Sequence, residues 1–298
     1  MFRYLYTIVI LFFVSANCGF GQYSVTRFPV RFGQYYNNFT FINPAYAGFN
    51  EGYEATAGSK RMLGNISKIS THYLGLSTRL RNSKGFKEHP FSALSFQAYA
   101  DKEGVYINRN RIYGSYAWHT NISPKLMLSI GFHIGAINYY VKGTELSGDG
   151  SDWEPDGSVG VLFYNDKFAT GISVNQMFKA EIQPLEEVAV IPVFVNYMAY
   201  YKLNVGSNVD ITPMFNCRIP QKQYKGVYDV NVELLLNKTY GISLGIIDNN
   251  NVINTLVLRN IKFGNNRFGT FFSYIYPYKS SQIKINYAEL GVNLLIAK

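Results

Sequence analysis

The sequence LMLSIGFHIGA, residues 126–136, alternates with a period of two. One face carries Leu126, Leu128, Ile130, Phe132, Ile134 and Ala136, and the other carries Ser129, Gly131, His133 and Gly135. This period indicates a β-strand with one apolar face and one small or polar face. The same division recurs over residues 209–218, 229–236 and 240–246. The chain is therefore predicted to consist of amphipathic strands.

Composition narrows the class of protein. Only 16% of the 298 residues are charged, against about 25% in an average soluble domain, which excludes a disordered chain. Aromatic residues, also 16%, favour sheet and are concentrated at the interfaces of membrane barrels. The net charge of +9 comes from scattered basic residues, which indicates a basic surface and not a nucleic-acid site.

The first residues are predicted to be an export signal. Arg3 supplies a positive charge, residues 5–14 an apolar stretch, and residues 15–21 small residues for cleavage. We therefore expect a signal peptide at 1–21, an N-terminal segment at 22–51 and a barrel at 52–298. A lipoprotein cysteine at Cys18 is the alternative. Cys217 would be the only other cysteine, so no internal disulfide is expected.

Connection lengths distinguish a membrane barrel from a soluble sandwich, which also alternates. About fourteen strands are predicted between residues 53 and 296. Short turns at 165–167, 206–208, 237–238 and 264–266 alternate with long connections at 141–156, 178–192 and 218–225. Outer-membrane barrels alternate short periplasmic turns with longer outer loops. The prediction is an all-β transmembrane barrel of about fourteen antiparallel strands with both termini periplasmic; residues 81–90 are the long periplasmic exception.

The segment Asn43-Pro44-Ala45-Tyr46-Ala47-Gly48 resembles the signature of the PorP/SprF family of type IX secretion and gliding-motility membrane proteins. Further matching positions follow in order: Asp101, Gly104, Gly114 to His119, Leu126, Ser129, Gly131, Asp156, Gly160, Tyr164, Gly171, Asn175 and Pro213. The resemblance covers most of the chain beyond the signal peptide.

The resemblance implies a barrel in the outer membrane of a Gram-negative bacterium, without catalysis or cofactor. SprF-like members support the export or surface attachment of a partner adhesin, whose C-terminal domain the barrel receives. PorP-like members contact periplasmic ring and motor components of the secretion system. Outer-membrane lipid is the other expected partner, and nucleic acid is not expected.

The chemistry of residues 43–48 is separate from the family label. Asn before Pro favours an extended entry, Pro44 fixes φ, and Gly48 permits a left-handed exit. The segment is therefore predicted to be a rigid turn. It either fastens the N-terminal segment to the barrel as a plug or contacts a partner directly.

Because side chains alternate between the two faces of a strand, one group of polar residues is predicted to face the lumen: Arg111, Tyr113, His119, His133, Asp229, Asn231 and Glu233. A passive channel for small solutes or hydrophobic ligands is the alternative function. A lipid hydrolase using Ser115 or Ser129 with His119 or His133 is disfavoured, because the chain has no Gly-x-Ser-x-Gly elbow. No catalytic, cofactor or metal residue is assigned.

Two regions are candidates for partner contact. The outer loops carry Trp153, Phe178 and Leu185, and the periplasmic stretch 81–90 carries Arg81, Lys84, Phe86 and Lys87. Aromatic anchors among polar residues are typical of interfaces. The acidic group Asp149, Asp152, Glu154 and Asp156 is predicted to be a solvated outer loop, with calcium binding as the alternative.

Overall fold

The computed structural model describes residues 33, 35–37, 39–64, 68–80, 90–143, 148–184, 189–220, 226–278 and 285–297. The strands in this part of the chain are β1 Tyr53–Leu63, β2 Ser70–Arg79, β3 Phe91–Glu103, β4 Ile107–Ser123, β5 Leu126–Val141, β6 Gly150–Tyr164, β7 Phe168–Asn175, β8 Glu181–Ile182, β9 Ala189–Val190, β10 Phe194–Tyr201, β11 Leu203–Val205, β12 Val209–Pro220, β13 Val227–Leu236, β14 Tyr240–Ile247, β15 Asn251–Phe263, β16 Asn266–Pro277 and β17 Asn286–Ile296. No helix in these ranges is long and apolar enough to cross a membrane.

The main sheet closes on itself. Neighbouring strands pair antiparallel, β1 pairs with both β2 and β17, and β10 pairs with both β7 and β12. Since β10 and β11 together form one wall strand, the barrel has fourteen strands, and the predicted fold class is confirmed. The sandwich alternative is wrong.

The wall strand formed by β10 and β11 is interrupted at Lys202. In the β10–β12 register, Tyr200 pairs with Met214, so the next position of β10 lies opposite Pro213. Proline has no N–H to donate to the ladder. Pairing resumes between Leu203 and Ile211, and the wall remains continuous.

Alternation along the strands separates a lipid face from a lumen face. Ile130, Phe132 and Ile134 are about half exposed, whereas Ser129 and His133, at alternate positions, are buried. Because the sheet is closed, no strand edge would meet lipid. The faces therefore agree with the parity predicted from residues 126–136.

The segment that precedes β1 lies inside the lumen. It contains one-turn 3₁₀ helices at Tyr35–Asn37, Phe39–Phe41 and Pro44–Tyr46. We call residues 35–50 the plug. Its buried aromatic residues form the largest apolar cluster together with inward residues of the wall: Met127, Leu162, Tyr164, Met198, Met214, Ile253 and Ile275. The hydrophobic core of this protein thus lies inside the barrel.

We call the two mouths of the barrel the turn end and the loop end. The turn end carries the short connections at 124–125, 165–167, 206–208, 237–239 and 264–265, together with the start of β1 and the end of β17. The loop end is the opposite mouth. It also has two short turns, at 104–106 and 248–250, so long connections are less regular there than the sequence predicted.

Two of the predicted outer loops are wrong in extent. β6 begins at Gly150, because β5 continues to Val141 and supplies its ladder partner. The connection is therefore 142–149, and Trp153 lies on a strand. The connection after β7 contains the β8–β9 hairpin. Its Ile182 and Ile191 pack inward against Ile137 and Tyr139, which closes part of the loop end.

Candidate functional site

Asn43 anchors the plug to the wall and is completely buried. Its side-chain Oδ1 accepts a hydrogen bond from the Ala45 N–H at 3.0 Å, which caps the short helix that begins at Pro44. Its Nδ2 donates to the carbonyl oxygens of Val161 at 3.1 Å and Ile172 at 3.3 Å. One side chain therefore fixes the local turn and attaches it to β6 and β7.

Two polar side chains of the wall bind the next carbonyls of the motif. Ser129 Oγ donates to the Ala45 oxygen at 2.7 Å. His119 Nε2 lies 2.8 Å from the Ala47 oxygen, and its Nδ1 lies 2.7 Å from the Tyr164 hydroxyl. Because a carbonyl only accepts, Nε2 carries the proton and Nδ1 accepts from Tyr164. The plug carbonyl thus determines the tautomer of His119.

Gly48 ends the motif in a conformation that requires glycine. Its φ is +71°, and an added Cβ would lie 2.3 Å from the Cβ of Ala93. Its N–H donates to Ser77 Oγ at 2.7 Å. Arg79 donates from Nε to the Gly48 oxygen and from Nη2 to the Phe49 oxygen, both at 2.8 Å. The exit of the plug is therefore held by β2.

Glycines of the wall make room for the motif. An added Cβ would lie 2.6 Å from the Ala45 nitrogen at Gly131, and 2.0 Å from Asn43 Oδ1 at Gly160. At Gly171 it would lie 2.8 Å from Asn43 Nδ2. Carbon atoms do not approach this closely, so these positions exclude any larger side chain while the plug is seated. All three are among the positions that carry the family resemblance.

Contacts to the rest of the plug come from around the barrel. Further bonds are Gln97 Nε2 to the Thr40 oxygen at 2.7 Å, Ser173 Oγ to the Ile42 oxygen at 2.8 Å, the Tyr36 hydroxyl to Ser243 Oγ at 3.0 Å, and Arg259 Nη2 to Asn37 Oδ1 at 2.6 Å. Glu289 accepts from the Gly33 N–H at 2.7 Å. Side chains of β2, β3, β4, β5, β7, β14, β15 and β17 therefore bind the N-terminal segment.

Each of the seven predicted lumen residues is buried, and three of them support the plug. His119 contacts it directly. Glu233 orients Arg259 through a bidentate ion pair with oxygen–nitrogen distances of 2.8 Å and 3.0 Å. Asn231 accepts from Ser243, the residue that Tyr36 contacts.

The other four lumen residues bind wall side chains. The Tyr113 hydroxyl donates to Asp156 at 2.6 Å, and its ring stacks on His133 with centroids 4.4 Å apart. Arg111 reaches the Tyr99 hydroxyl at 3.3 Å, and Asp229 accepts from Asn216 at 2.9 Å. Sequence reasoning missed Arg79, Gln97, Ser173, Ser243 and Arg259, although each is a polar residue on an inward strand position.

The predicted partner contacts are scattered. Trp153 is 54% exposed on β6, and Phe178 is 52% exposed beside Gly157. Leu185, Arg81, Lys84, Phe86 and Lys87 lie outside the described residues.

The acidic residues do not share a centre. Asp149 accepts from Tyr140 and from the Gly143 N–H, Asp152 from the Gln183 N–H, and Asp156 from Tyr113. Asp152, Glu154 and Asp156 belong to β6, so the predicted acidic loop is wrong. In the described ranges, no group of three or more His, Cys, Asp and Glu side chains is placed to hold a metal ion.

A cavity of about 240 Å³ separates part of the plug from the wall. It lies towards the turn end, beside the starts of β1 and β16, and its lining includes Asn37, Asn50, Glu54, Arg259 and Asn293. The lumen is therefore filled incompletely, and both polar and apolar residues line the remaining space.

Two solved structures with a similar fold are a hydrocarbon channel and a toluene transporter. The CymD monoaromatic hydrocarbon channel aligns with 11% identity and a TM-score of 0.56, covering 87% of this chain and 92% of its own. The Ralstonia pickettii toluene transporter TbuX aligns with 9% identity and a TM-score of 0.55, covering 86% and 92%. At these identities the likeness shows the fold alone. No curated protein matches.

The family model described as type IX secretion system membrane protein PorP/SprF matches residues 27–289. This range includes the plug, its motif and almost the whole wall. Together with the closed barrel, the match places the protein in the outer membrane of a Gram-negative bacterium. The chain belongs to the PorP/SprF family of type IX secretion system membrane proteins.

Proposed function

We propose that this protein is a non-enzymatic docking barrel of the type IX secretion machinery that supports the export or surface attachment of a partner adhesin, the SprF-like role. Contact with periplasmic ring and motor components, the PorP-like role, is the other form of the proposal. The observation that carries it is the plug, whose family motif and neighbouring residues are bound by side chains of eight wall strands.

The plug leaves the two mouths as the surfaces for a soluble partner. Releasing it would expose the buried aromatic residues and leave Asn43 and the motif carbonyls without their partners, and each lost buried bond costs about 1 kcal/mol or more. We propose that the turn end is periplasmic, as outer-membrane barrels place their short turns there. The loop end would then face the passenger.

The absence of catalysis is part of the proposal. Ser129 Oγ lies 3.4 Å from His119 Nε2, the nearest approach to a nucleophile and base among the four residues considered from sequence. Both groups are completely buried. Each donates to a plug carbonyl instead, so the pair supports the plug and has no space for a substrate.

The passenger surface is proposed on the outer rim of the loop end, around Phe178. Its exposed ring packs beside Gly157 on the outward face of the wall, since the ladder partner of Gly157 is the exposed Ile134, and the neighbouring Met177 is 42% exposed. A partner that binds here would contact the barrel where the wall meets lipid. A large exposed apolar pair beside polar groups is typical of an interaction site. The basic residues of the stretch 81–90 are proposed to contact an acidic periplasmic partner.

One experiment separates the two roles. Phe178→Asp should lower the amount of adhesin at the cell surface, whereas the charge-reversed Lys84→Glu/Lys87→Glu variant should lower co-purification of periplasmic components. Phe263→Asp is the matched control, since Phe263 is 82% exposed near the turn end. Each variant must remain heat-modifiable on gels, which shows a folded barrel. If neither surface variant changes either readout, docking at these regions is wrong.

A passive channel for small solutes or hydrophobic ligands is the second candidate. The cavity beside the plug and the fold shared with two transport barrels favour it. A channel should conduct or take up solute without a partner protein, and its uptake should be unaffected by Phe178→Asp.

A further inference from the structure

A polar groove lies on the outer surface of the barrel, on the side that lipid should cover. It has a volume of about 450 Å³ and extends across β2 to β6 near the loop end. Apart from Asp101, its lining residues lie on the same outward face of the strands as the apolar band. On β4, for example, Asn108 and Asn110 continue the face that carries Ile112, which is 44% exposed.

The pairing register shows that the groove begins where the apolar band ends. One cross-strand row consists of Leu74, Ala98, Ile112 and Ala136. The next row towards the loop end consists of His72, Ala100, Asn110, Asn138 and Trp153, and the one beyond it of Arg61, Ser70, Lys102, Asn108, Tyr140 and Ser151. The change from apolar to polar within one step indicates the lipid–water interface.

The groove is ordered in advance by its own hydrogen bonds. Asn138 is only 5% exposed on this outward face. Its Nδ2 donates to Ser151 Oγ at 2.9 Å, and its Oδ1 accepts from Asn110 at 3.4 Å. The small side chain of Ala100 lies between His72 and Asn110 in the first polar row. A polar ladder facing hydrocarbon would be costly, so it should meet headgroups.

The charges are arranged unequally along the groove. Lys102 lines the groove, and Arg61 lies beyond the lining at the β1 end of the same row; both are exposed. Asp101 also lines the groove, but its carboxylate accepts a hydrogen bond from Thr71 and pairs with Arg109 on the inward side. Asp149 lies at the other side, where the hydrogen bond from the Tyr140 hydroxyl holds the pKa of its carboxyl below the usual range. An anionic group would therefore be favoured beside Lys102. Trp153 and the asparagines would favour an uncharged, hydroxyl-rich group attached to that anionic group.

We propose that this groove binds the phosphorylated sugar headgroup of an outer-leaflet glycolipid. Lys102 and Arg61 would pair with the phosphate as point and planar charges. Asn108 and Asn110 would bind sugar hydroxyls, and the exposed Trp153 ring would cover the apolar face of a sugar at the interface, where tryptophan is favoured. The acyl chains would then lie over Ile112 and its row. The inference depends on the loop end facing outward, not on the identity of the secretion partner.

The test uses the full-length exported barrel in detergent, with lipid A and phosphatidylglycerol as probes and native mass spectrometry to count bound lipid. Lipid A should bind more tightly than phosphatidylglycerol. Lys102→Ala and Asn108→Ala should each weaken lipid A binding by about tenfold, equivalent to about 1.4 kcal/mol. The matched controls Lys262→Ala, at the turn end, and Asn254→Ala, on the outward face of β15, should bind like the unaltered protein.

Tryptophan fluorescence gives a second readout. The chain has two tryptophans, so Trp118→Phe leaves Trp153 as the only reporter, and lipid A should change its emission. Equal binding of phosphatidylglycerol would overturn recognition of the sugar. Equal loss in Lys262→Ala would overturn the location, and unaltered binding in Lys102→Ala and Asn108→Ala would overturn the groove itself.

Discussion

Asn43→Ala should loosen the plug while leaving the barrel intact. The substitution removes the cap of the Pro44 helix, worth about 1 kcal/mol, and two bonds to wall carbonyls at about 1 kcal/mol each. The neighbouring N–H and carbonyl groups stay buried, so water cannot readily replace the lost partner. The expected change in plug stability is about 3 kcal/mol, which corresponds to about a 100-fold increase in the released population.

Hydrogen–deuterium exchange measures that population directly. The amides of Tyr46, Ala47 and Phe49 are bonded within the plug, so they exchange only when it opens. Their protection should fall by about two orders of magnitude in Asn43→Ala. Asn50→Ala, in the same segment, is the matched control and should leave it unchanged. Unaltered protection in a folded Asn43→Ala barrel would refute the anchoring role of Asn43.

Gly131→Ala should destabilise the seated plug by about 1–3 kcal/mol through overpacking, whereas Gly114→Ala, whose Cβ meets nothing within 4 Å, should be neutral in the same exchange assay. Arg79→Ala leaves two plug carbonyls without a charged donor, so protease cleavage near Gly48 should become faster while the gel mobility of the barrel is kept. Ile130→Arg should cost about 2–4 kcal/mol of folding stability in vesicles if it lies near the bilayer midplane, and an unchanged folding stability would contradict the assigned lipid face.

The strands could be predicted because successive residues of a membrane-barrel strand face lipid and lumen in turn, so their side chains alternate between apolar and polar. Ile130 and Ser129 differ in exposure as their parity requires, and fourteen strands follow from counting such segments. The ends of the strands were harder to predict, because backbone pairing continues as far as a neighbouring strand supplies hydrogen-bond partners. The polar residues 150–156 have no amphipathic alternation of their own, yet β5 pairs with them.

The plug contacts could be predicted only in part. The rigid turn at Asn43 to Gly48 follows from proline and glycine chemistry. The wall residues that bind this turn could not be predicted, since Ser129, His119 and Gly160 come together only when separate strands close around it. The sequence does not distinguish an inward polar residue that faces water from one that binds a carbonyl group of the plug. Ser129 accordingly should not tolerate the charge that a water-filled lumen would accept.

Conductance in planar bilayers tests the central claim that the plug closes the lumen. The purified protein alone should give no steady ion current, and the combined Asn43→Ala/Arg79→Ala variant should give one, because both ends of the motif are then released. A steady current through the unaltered protein that the two substitutions leave unchanged would contradict the account.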